Sequence, residues 1–266
     1  MVDCVAVVPS ITVEMKACGV LFLQSSMHMS TEIENLWFRP FRQIGEIQVI
    51  HVDLTSHEAR EQYAIDWLDK EELARWQRYL YDRPRREFAL CRAALRYSLC
   101  RRLGCENKQL SIVAADHGKP YALVNSQLVP ISFNVSHSGY HGLIAFTQGQ
   151  QRLGVDVEAR SRWRDFDGIA EMVFGPNERA EIASENGLAK AHLFFRFWTL
   201  KEALVKALGT GLSIDLTAFE IPPDIRHGAG KSTFQFSGLD RTLWELQDLS
   251  TNGYAAAIAA EISHLS

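Results

Sequence analysis

From Phe194 to Leu208 the apolar residues Phe194, Phe197, Trp198, Leu204 and Leu208 recur at helical spacing, and Gly209 and Gly211 follow as stop signals. The pattern predicts a helix through the stretch FWTLKEALVKALGTGL, Phe197 to Leu212. Lys201 and Glu202 fall inside that apolar run, where buried charge is costly unless paired or bound to an ion. Two readings stay open at this point: an exposed Glu202–Lys206 pair at i, i+4, or charge kept for a ligand. Upstream, Leu153 to Glu158 (LGVDVE) alternates strictly, which predicts a strand with Val155 and Val157 on one face and Asp156 and Glu158 on the other. Two carboxylates on one strand face repel each other unless a cation such as Mg²⁺ lies between them, or solvent separates them.

The same patterns place the other elements. Glu46 to Leu54 reads as the first strand, with His51 a structural residue in it. A helix from His57 to about Trp67 is capped by Thr55 or Ser56, and a second starts at Asp69 with Leu73, Trp76, Tyr79 and Leu80 as its apolar face. A long helix, Arg85 to Leu103, turns Phe88, Leu95 and Leu99 inward. Strands are expected at Leu110–Ala115, Ile131–Val135 and Gly142–Thr147, with a turn through Asp116, His117 and Gly118. Helices at Asp167–Val173 and, opened by Pro176, at Asn177–Ser184 precede the helix first described. Strands at Ala218–Ile221, Ser232–Phe236, Leu243–Leu246 and Tyr254–Ala259 close the chain, with a loop over Pro222–Gly230. The order strand, helices, strands thus occurs twice and divides near Gly149–Gln151, which predicts two similar α+β halves with mainly antiparallel sheets.

Composition narrows the class. A chain of 266 residues, 47% hydrophobic, can fill one large core or two small ones. A net charge of -4 argues against general nucleic-acid binding, and no apolar run reaches membrane-span length. The five cysteines, Cys4, Cys18, Cys91, Cys100 and Cys105, are odd in number and lack C-x-x-C spacing, as expected of reduced thiols in a cytoplasmic protein, with Cys91 and Cys100 as packing residues. Residues 1–45 form an N-terminal extension, expected to be weakly ordered and dispensable, with Met27 and Met29 as alternative starts.

Against the acidic total, nine arginines crowd between Arg75 and Arg102, opposed there only by Asp82 and Glu87. Taken alone, such a basic helix is a solvated surface. GVDVE followed by FWTLKEALVKALGTGL, however, resembles the paired signature of the 4'-phosphopantetheinyl transferases of the surfactin-synthetase-associated type. FNVSHSG at Phe133–Gly139 and GKP at Gly118–Pro120 agree with it in the family's order, and the resemblance covers roughly residues 46 to 260.

The resemblance implies an enzyme that moves the phosphopantetheine arm of coenzyme A, its co-substrate, onto a serine of an apo acyl, polyketide or peptidyl carrier protein. It implies the fold of two α+β halves related by a pseudo-twofold, with coenzyme in the cleft between them. Residues 46–150 would bind the coenzyme's phosphates and residues 151–266 would carry the metal and catalytic motifs. Asp156, Glu158 and Glu202 would hold Mg²⁺, with Asp156, Glu202 and Lys206 as the catalytic set and Glu202, or a water it holds, as base. Arg75, Arg85, Arg86, Lys119, Ser136, His137, Lys201 and Lys206 would contact the coenzyme; Arg is suited to phosphate by its rigid fork of donors. Glu178 matches an acid that recurs between the two metal motifs, and equally suits a first-turn helix position. Arg160–Arg164 and Met172–Phe174 are candidate carrier contacts. The protein is expected to be a cytoplasmic monomer with no nucleic-acid or membrane partner. Two rivals remain: another Mg²⁺-dependent phosphoryl or nucleotidyl transferase, disfavoured because no G-x-x-x-x-G-K-[ST] loop is present, and a non-catalytic relative, which would be expected to lose one of the acids.

Overall fold

The computed structural model describes residues 37–114, 119–160, 166–209, 214–235 and 242–262. The expectations placed on the start of the chain, on the 116–118 turn, on Arg162 and Arg164 and on Gly211 lie outside the described residues.

Two antiparallel four-stranded sheets carry the fold. The first takes β1 (Phe38–Ile44), β2 (Ile47–Asp53), β7 (His141–Gln148) and β6 (Ile131–Ser138), in that spatial order. The second takes β8 (Leu153–Ala159), β11 (Tyr254–Glu261), β10 (Leu243–Asp248) and β9 (Lys231–Gln235). A small sheet of β3 (Leu110–Ala114), β4 (Pro120–Val124) and β5 (Gln127–Leu128) stands apart from them. The first sheet opens at Phe38, upstream of the strand expected at Glu46. Trp37 and Phe38 are buried there, and the Trp37 indole donates to the Leu90 carbonyl at 3.0 Å.

The halves repeat one topology. In each, a strand (β2 or β8) is followed by helices and then by further strands, of which the last (β7 or β11) inserts beside the first. In each the longest helix has 22 residues: α3 (Asp82–Leu103) and α6 (Gly187–Leu208). Short helices precede it, α1 (Glu58–Asp66) and α2 (Lys70–Gln77) in one half, α4 (Phe166–Val173) and α5 (Pro176–Ser184) in the other.

The repeat extends to a buried cation at the fifteenth position of each long helix. Arg96, 1% exposed, donates to Glu72, Asp69 and Asn107 and to the Asn107 and Leu110 carbonyls. Lys201, 0% exposed, lies 2.7 Å from Glu178 and donates to the Val173, Leu216 and Phe219 carbonyls. Glu72 and Glu178 both stand third in the short helix before and accept from its N-cap amide, Asp69 or Gly175. Burial raises the proton affinity of both acids, which the neighbouring cation opposes.

That node explains one departure from the expected strands. Ala218–Ile221 is no strand. A 3₁₀ turn at Leu216–Ala218 aims the Leu216 and Phe219 carbonyls at the Lys201 ammonium. Pro222–Gly230, expected as a loop, contains the one-turn helix α7 (Pro223–Arg226). His57 replaces Thr55 or Ser56 as the cap of α1, and Leu80 is 88% exposed instead of facing inward.

Val155 and Val157 of β8 join Ile47, Val49 and Leu143 of the first sheet in an apolar seam between the halves. The other face of the second sheet packs Trp244, Leu246, Ala257 and Ala259 against Phe194, Phe197, Leu200 and Leu204 of α6. Asp156 and Glu158 therefore lie on a strand that is enclosed on both sides.

Candidate functional site: a carboxylate cluster beside an arginine cavity

Gly154 brings β8 and α6 into contact. A Cβ there would overlap the Ala203 carbonyl and the Ala207 amide, so only glycine lets the strand rest on the helix backbone. Four residues separate Glu202 from Lys206, which places both on the helix face above β8. The Lys206 ammonium sits 2.6 Å from Asp156 Oδ1 and 2.9 Å from Ser136 Oγ, while the Ser136 hydroxyl donates to the same Asp156 oxygen at 2.8 Å. The exposed i, i+4 pair is thus not formed; Lys206 reaches across to the strand instead.

Ser136 is one of three polar side chains of β6 that bond the backbone of β8. Asn134 Oδ1 accepts from the Val155 amide, Ser136 Oγ from Val157 and Ser138 Oγ from Ala159. The edge strands of the two sheets are joined by these side chains, and Ser138 also donates to Glu158 Oε2 at 2.7 Å.

The carboxylates crowd one another at the seam. Asp156 is 2% exposed, and its Oδ2 is buried with no hydrogen-bond partner. Burial raises the proton affinity of Glu158 and of Glu202, the charge of Asp156 adds to both, and Lys206 opposes it. Among the described residues no three His, Cys, Asp or Glu side chains stand as a ready-made metal cage, and Lys206 takes one Asp156 oxygen. The orphaned Oδ2 and the mutual repulsion of the acids nevertheless fit a hard divalent ion, which needs only one or two protein carboxylates.

Beside the seam a cavity of about 180 Å³ opens between α3 and β6, lined by Arg75, Tyr79, Phe88, Arg92 and His137 among others. The Arg75 guanidinium lies over the Phe88 ring at 5.0 Å, and Arg92 lies over the same ring at 5.6 Å. Arg92 was not singled out in the sequence, although it follows Phe88 by four residues and precedes Leu95 by three, on the inward face. Arg85 and Arg86, which were, do not line the cavity. Arg85 donates to the Tyr79 carbonyl and stacks on Trp76. Arg86 donates to the Leu54 carbonyl and approaches Glu61 at 3.9 Å. Both bond within their own half, although Arg85 Nε is buried without a hydrogen-bond partner among the described residues.

The remaining residues separate into two kinds. Lys119 donates to the Leu153 carbonyl at 3.2 Å and the Ala207 carbonyl at 3.0 Å, tying the end of α6 to the start of β8; burial lowers its pKa to about 8. Lys201 contacts neither the cavity nor the carboxylates, because its three donors are consumed by carbonyls and Glu178. Glu178 is accordingly the first-turn acid of α5, bonded to the Gly175 and Ile221 amides. Of the candidate carrier contacts, Arg160 donates to the Thr251 carbonyl, Met172 is 70% exposed and Phe174 is buried.

The chain's likeness to known proteins follows this division. Residues 55–148 match the profile described as 4'-phosphopantetheinyl transferase, N-terminal, and residues 152–259 match that of the 4'-phosphopantetheinyl transferase superfamily. The 4'-phosphopantetheinyl transferase HetI of Nostoc is 32% identical over 168 residues, covering 63% of this chain and 70% of HetI. The chain belongs to the 4'-phosphopantetheinyl transferase superfamily. A putative 4'-phosphopantetheinyl transferase of Synechocystis is 37% identical over 158 residues, covering 59% of this chain and 62% of that relative, just under two thirds of its length. The transferase named Sfp, from Bacillus subtilis, is 22% identical over 176 residues, covering 66% of this chain and 75% of Sfp. The family boundary between residues 148 and 152 coincides with the passage from β7 to β8.

Proposed function

We propose that this member of the superfamily transfers the 4'-phosphopantetheine arm of coenzyme A to a serine hydroxyl of an apo carrier protein, releasing 3',5'-ADP, as a transferase of the Sfp type. The observation that carries the reading is the meeting of Asp156, Ser136 and Lys206 at the seam, flanked by Glu158 and Glu202, with an arginine-lined cavity on the other side of β6. In this reading the N-terminal half binds phosphate through Arg75, Arg92, Ser136 and His137, and the C-terminal half supplies the chemistry. Acyl, polyketide and peptidyl carriers all present the required serine. In this reading the protein acts as a cytoplasmic monomer.

The reaction breaks the bond between the β-phosphorus of the pyrophosphate and the oxygen that leaves with 3',5'-ADP, and forms one from that phosphorus to the serine oxygen. The serine proton must be removed and the leaving phosphate's charge balanced. Glu202 is the base, directly or through a water: its burial and the nearby Asp156 charge raise its affinity for a proton, which suits a group that has to accept one near neutral pH. Asp156 and Glu158 would hold Mg²⁺ together with Glu202, and the ion would supply charge neutralisation at the pyrophosphate. Ser138 fixes the Glu158 carboxylate in place. Lys206, positioned by Asp156 and Ser136, meets the phosphates from the helix side.

Incubating an apo carrier protein with the protein, coenzyme A and Mg²⁺ is expected to add one phosphopantetheine to the carrier's intact mass, and EDTA is expected to prevent it. No gain across acyl, polyketide and peptidyl carriers, from a folded protein that binds coenzyme A, would favour a non-catalytic relative. Transfer from ATP or GTP in place of coenzyme A would favour a nucleotidyl or phosphoryl transferase. Lys206→Ala is expected to weaken coenzyme A binding about 10- to 100-fold, the worth of a charged hydrogen bond. Calorimetric titration checks this, and an unchanged affinity removes Lys206 from the phosphate site.

A further inference from the structure

Side chains alternate along β6, so Ser136 and Ser138 turn toward the carboxylates of β8 while His137 turns the other way, toward α3. There Nδ1 of His137 lies 3.5 Å from Oε2 of Glu87. Glu87 is only 8% exposed, and its other oxygen accepts from Arg83 Nε at 2.7 Å, one turn earlier on the helix. Burial works to raise its proton affinity, but His137 and Arg83 overcome this and hold the carboxyl below its ordinary range. A carboxylate thus faces the imidazole from behind while the ring lines the cavity that also holds Arg75 and Arg92.

The chemistry of the ring makes that contact consequential. A neutral imidazole has a single N–H. With that hydrogen on Nδ1 and given to Glu87, Nε2 presents a lone pair, which repels a phosphate oxygen. Only the doubly protonated ring can donate to Glu87 and to an anion together. We propose that Glu87 is a positioning residue: it fixes the His137 ring through Nδ1 and makes it meet the coenzyme's phosphate as an imidazolium. This rests on the reading above that the cavity takes the nucleotide phosphates. The charges around the ring are Glu87, Arg83 and Arg92 on α3 and Arg75 on α2, with Glu72 of α2 behind them, 3.4 Å from Arg92. Tyr79, just beyond α2, also lines the cavity, and Tyr140 follows in the β6–β7 turn. Asp156, Glu158 and Lys206 lie across β6, on the face to which Ser136 and Ser138 point. Glu87 is the acid in contact with the ring.

The test is ¹⁵N NMR of the imidazoles in the full chain, with His137 assigned by its loss in His137→Gln, with and without 3',5'-ADP. The expected result is a hydrogen on Nδ1 in the free protein and on both nitrogens in the complex. In Glu87→Gln, whose carbonyl still accepts from Nδ1, the ring is expected to keep its orientation but to stay singly protonated, with affinity for 3',5'-ADP reduced about 10-fold, the lower end for a charged hydrogen bond. Glu87→Ala is expected to lose the orientation as well. A complex whose ring carries one hydrogen only, on either nitrogen, overturns the proposal, and so does a doubly protonated ring that persists in Glu87→Gln. The wild-type spectrum decides the first point even if neither variant folds. Failure of wild type to bind 3',5'-ADP or coenzyme A at all would instead overturn the coenzyme reading on which the proposal stands.

Discussion

Lys201→Met is expected to lower the unfolding free energy by roughly 3–5 kcal/mol, the usual loss when one partner of a buried ion pair is removed. The reason is what remains behind. Glu178, 0% exposed, would keep a charge with no counter-ion, and the carbonyls of Val173, Leu216 and Phe219 would lose their donor. Denaturant titration reads the effect as a shift in midpoint with little change in slope. The double variant Lys201→Met/Glu178→Leu is expected to recover part of the loss, because an apolar replacement of both partners no longer buries a charge. Any folded fraction should bind coenzyme A normally. Wild-type stability combined with weak coenzyme binding would return Lys201 to the phosphate site, where the sequence had placed it.

Glu202→Gln is expected to do the reverse: transfer falls by about 10²- to 10⁴-fold, the contribution of a general base, while the fold is no less stable. Ionised Glu202 is disfavoured by burial and by the neighbouring Asp156 charge, so a neutral isostere removes a cost to the fold. The sign follows from the raised proton affinity: the penalty is present at pH values where the carboxylate is ionised and vanishes in acid, where it is protonated in folded and unfolded chains alike. Carrier-modification rates by mass spectrometry, beside thermal melting, separate the two effects. A variant that melts early yet, corrected for folded protein, turns over like wild type would remove Glu202 from the chemistry.

The sequence was most legible where local periodicity and site coincide. LGVDVE alternates without exception and became β8, and the helical repeat with its Gly209 stop became the end of α6. It was least legible where the partner is a main-chain carbonyl. The acceptors of Lys201 lie 15 to 28 residues away and carry no residue-type signal, so residue type did not distinguish Lys201 from Lys206. Helix phase would have: Lys201 follows Phe197 by four residues and precedes Leu204 by three, the inward phase that Arg92 shares with Phe88 and Leu95. Arg85 and Arg86 stood out by their place in the arginine run, and their side chains turned out to serve Tyr79 and Leu54. Leu80 shows the opposite error, an apolar residue counted inward by spacing although α2 ends at Gln77 before reaching it.

The splice between β6 and β8 sets how the two halves can move. Pulling the edge strands apart would break the bonds from the Val155, Val157 and Ala159 amides to Asn134, Ser136 and Ser138, and with them the hold of the two hydroxyls on Asp156 and Glu158. The same separation would open the apolar seam of Ile47, Val49, Leu143, Val155 and Val157. The splice is therefore a clamp, and the carboxylates are held by the clamp itself, so loss of the seam and loss of the cluster are one event.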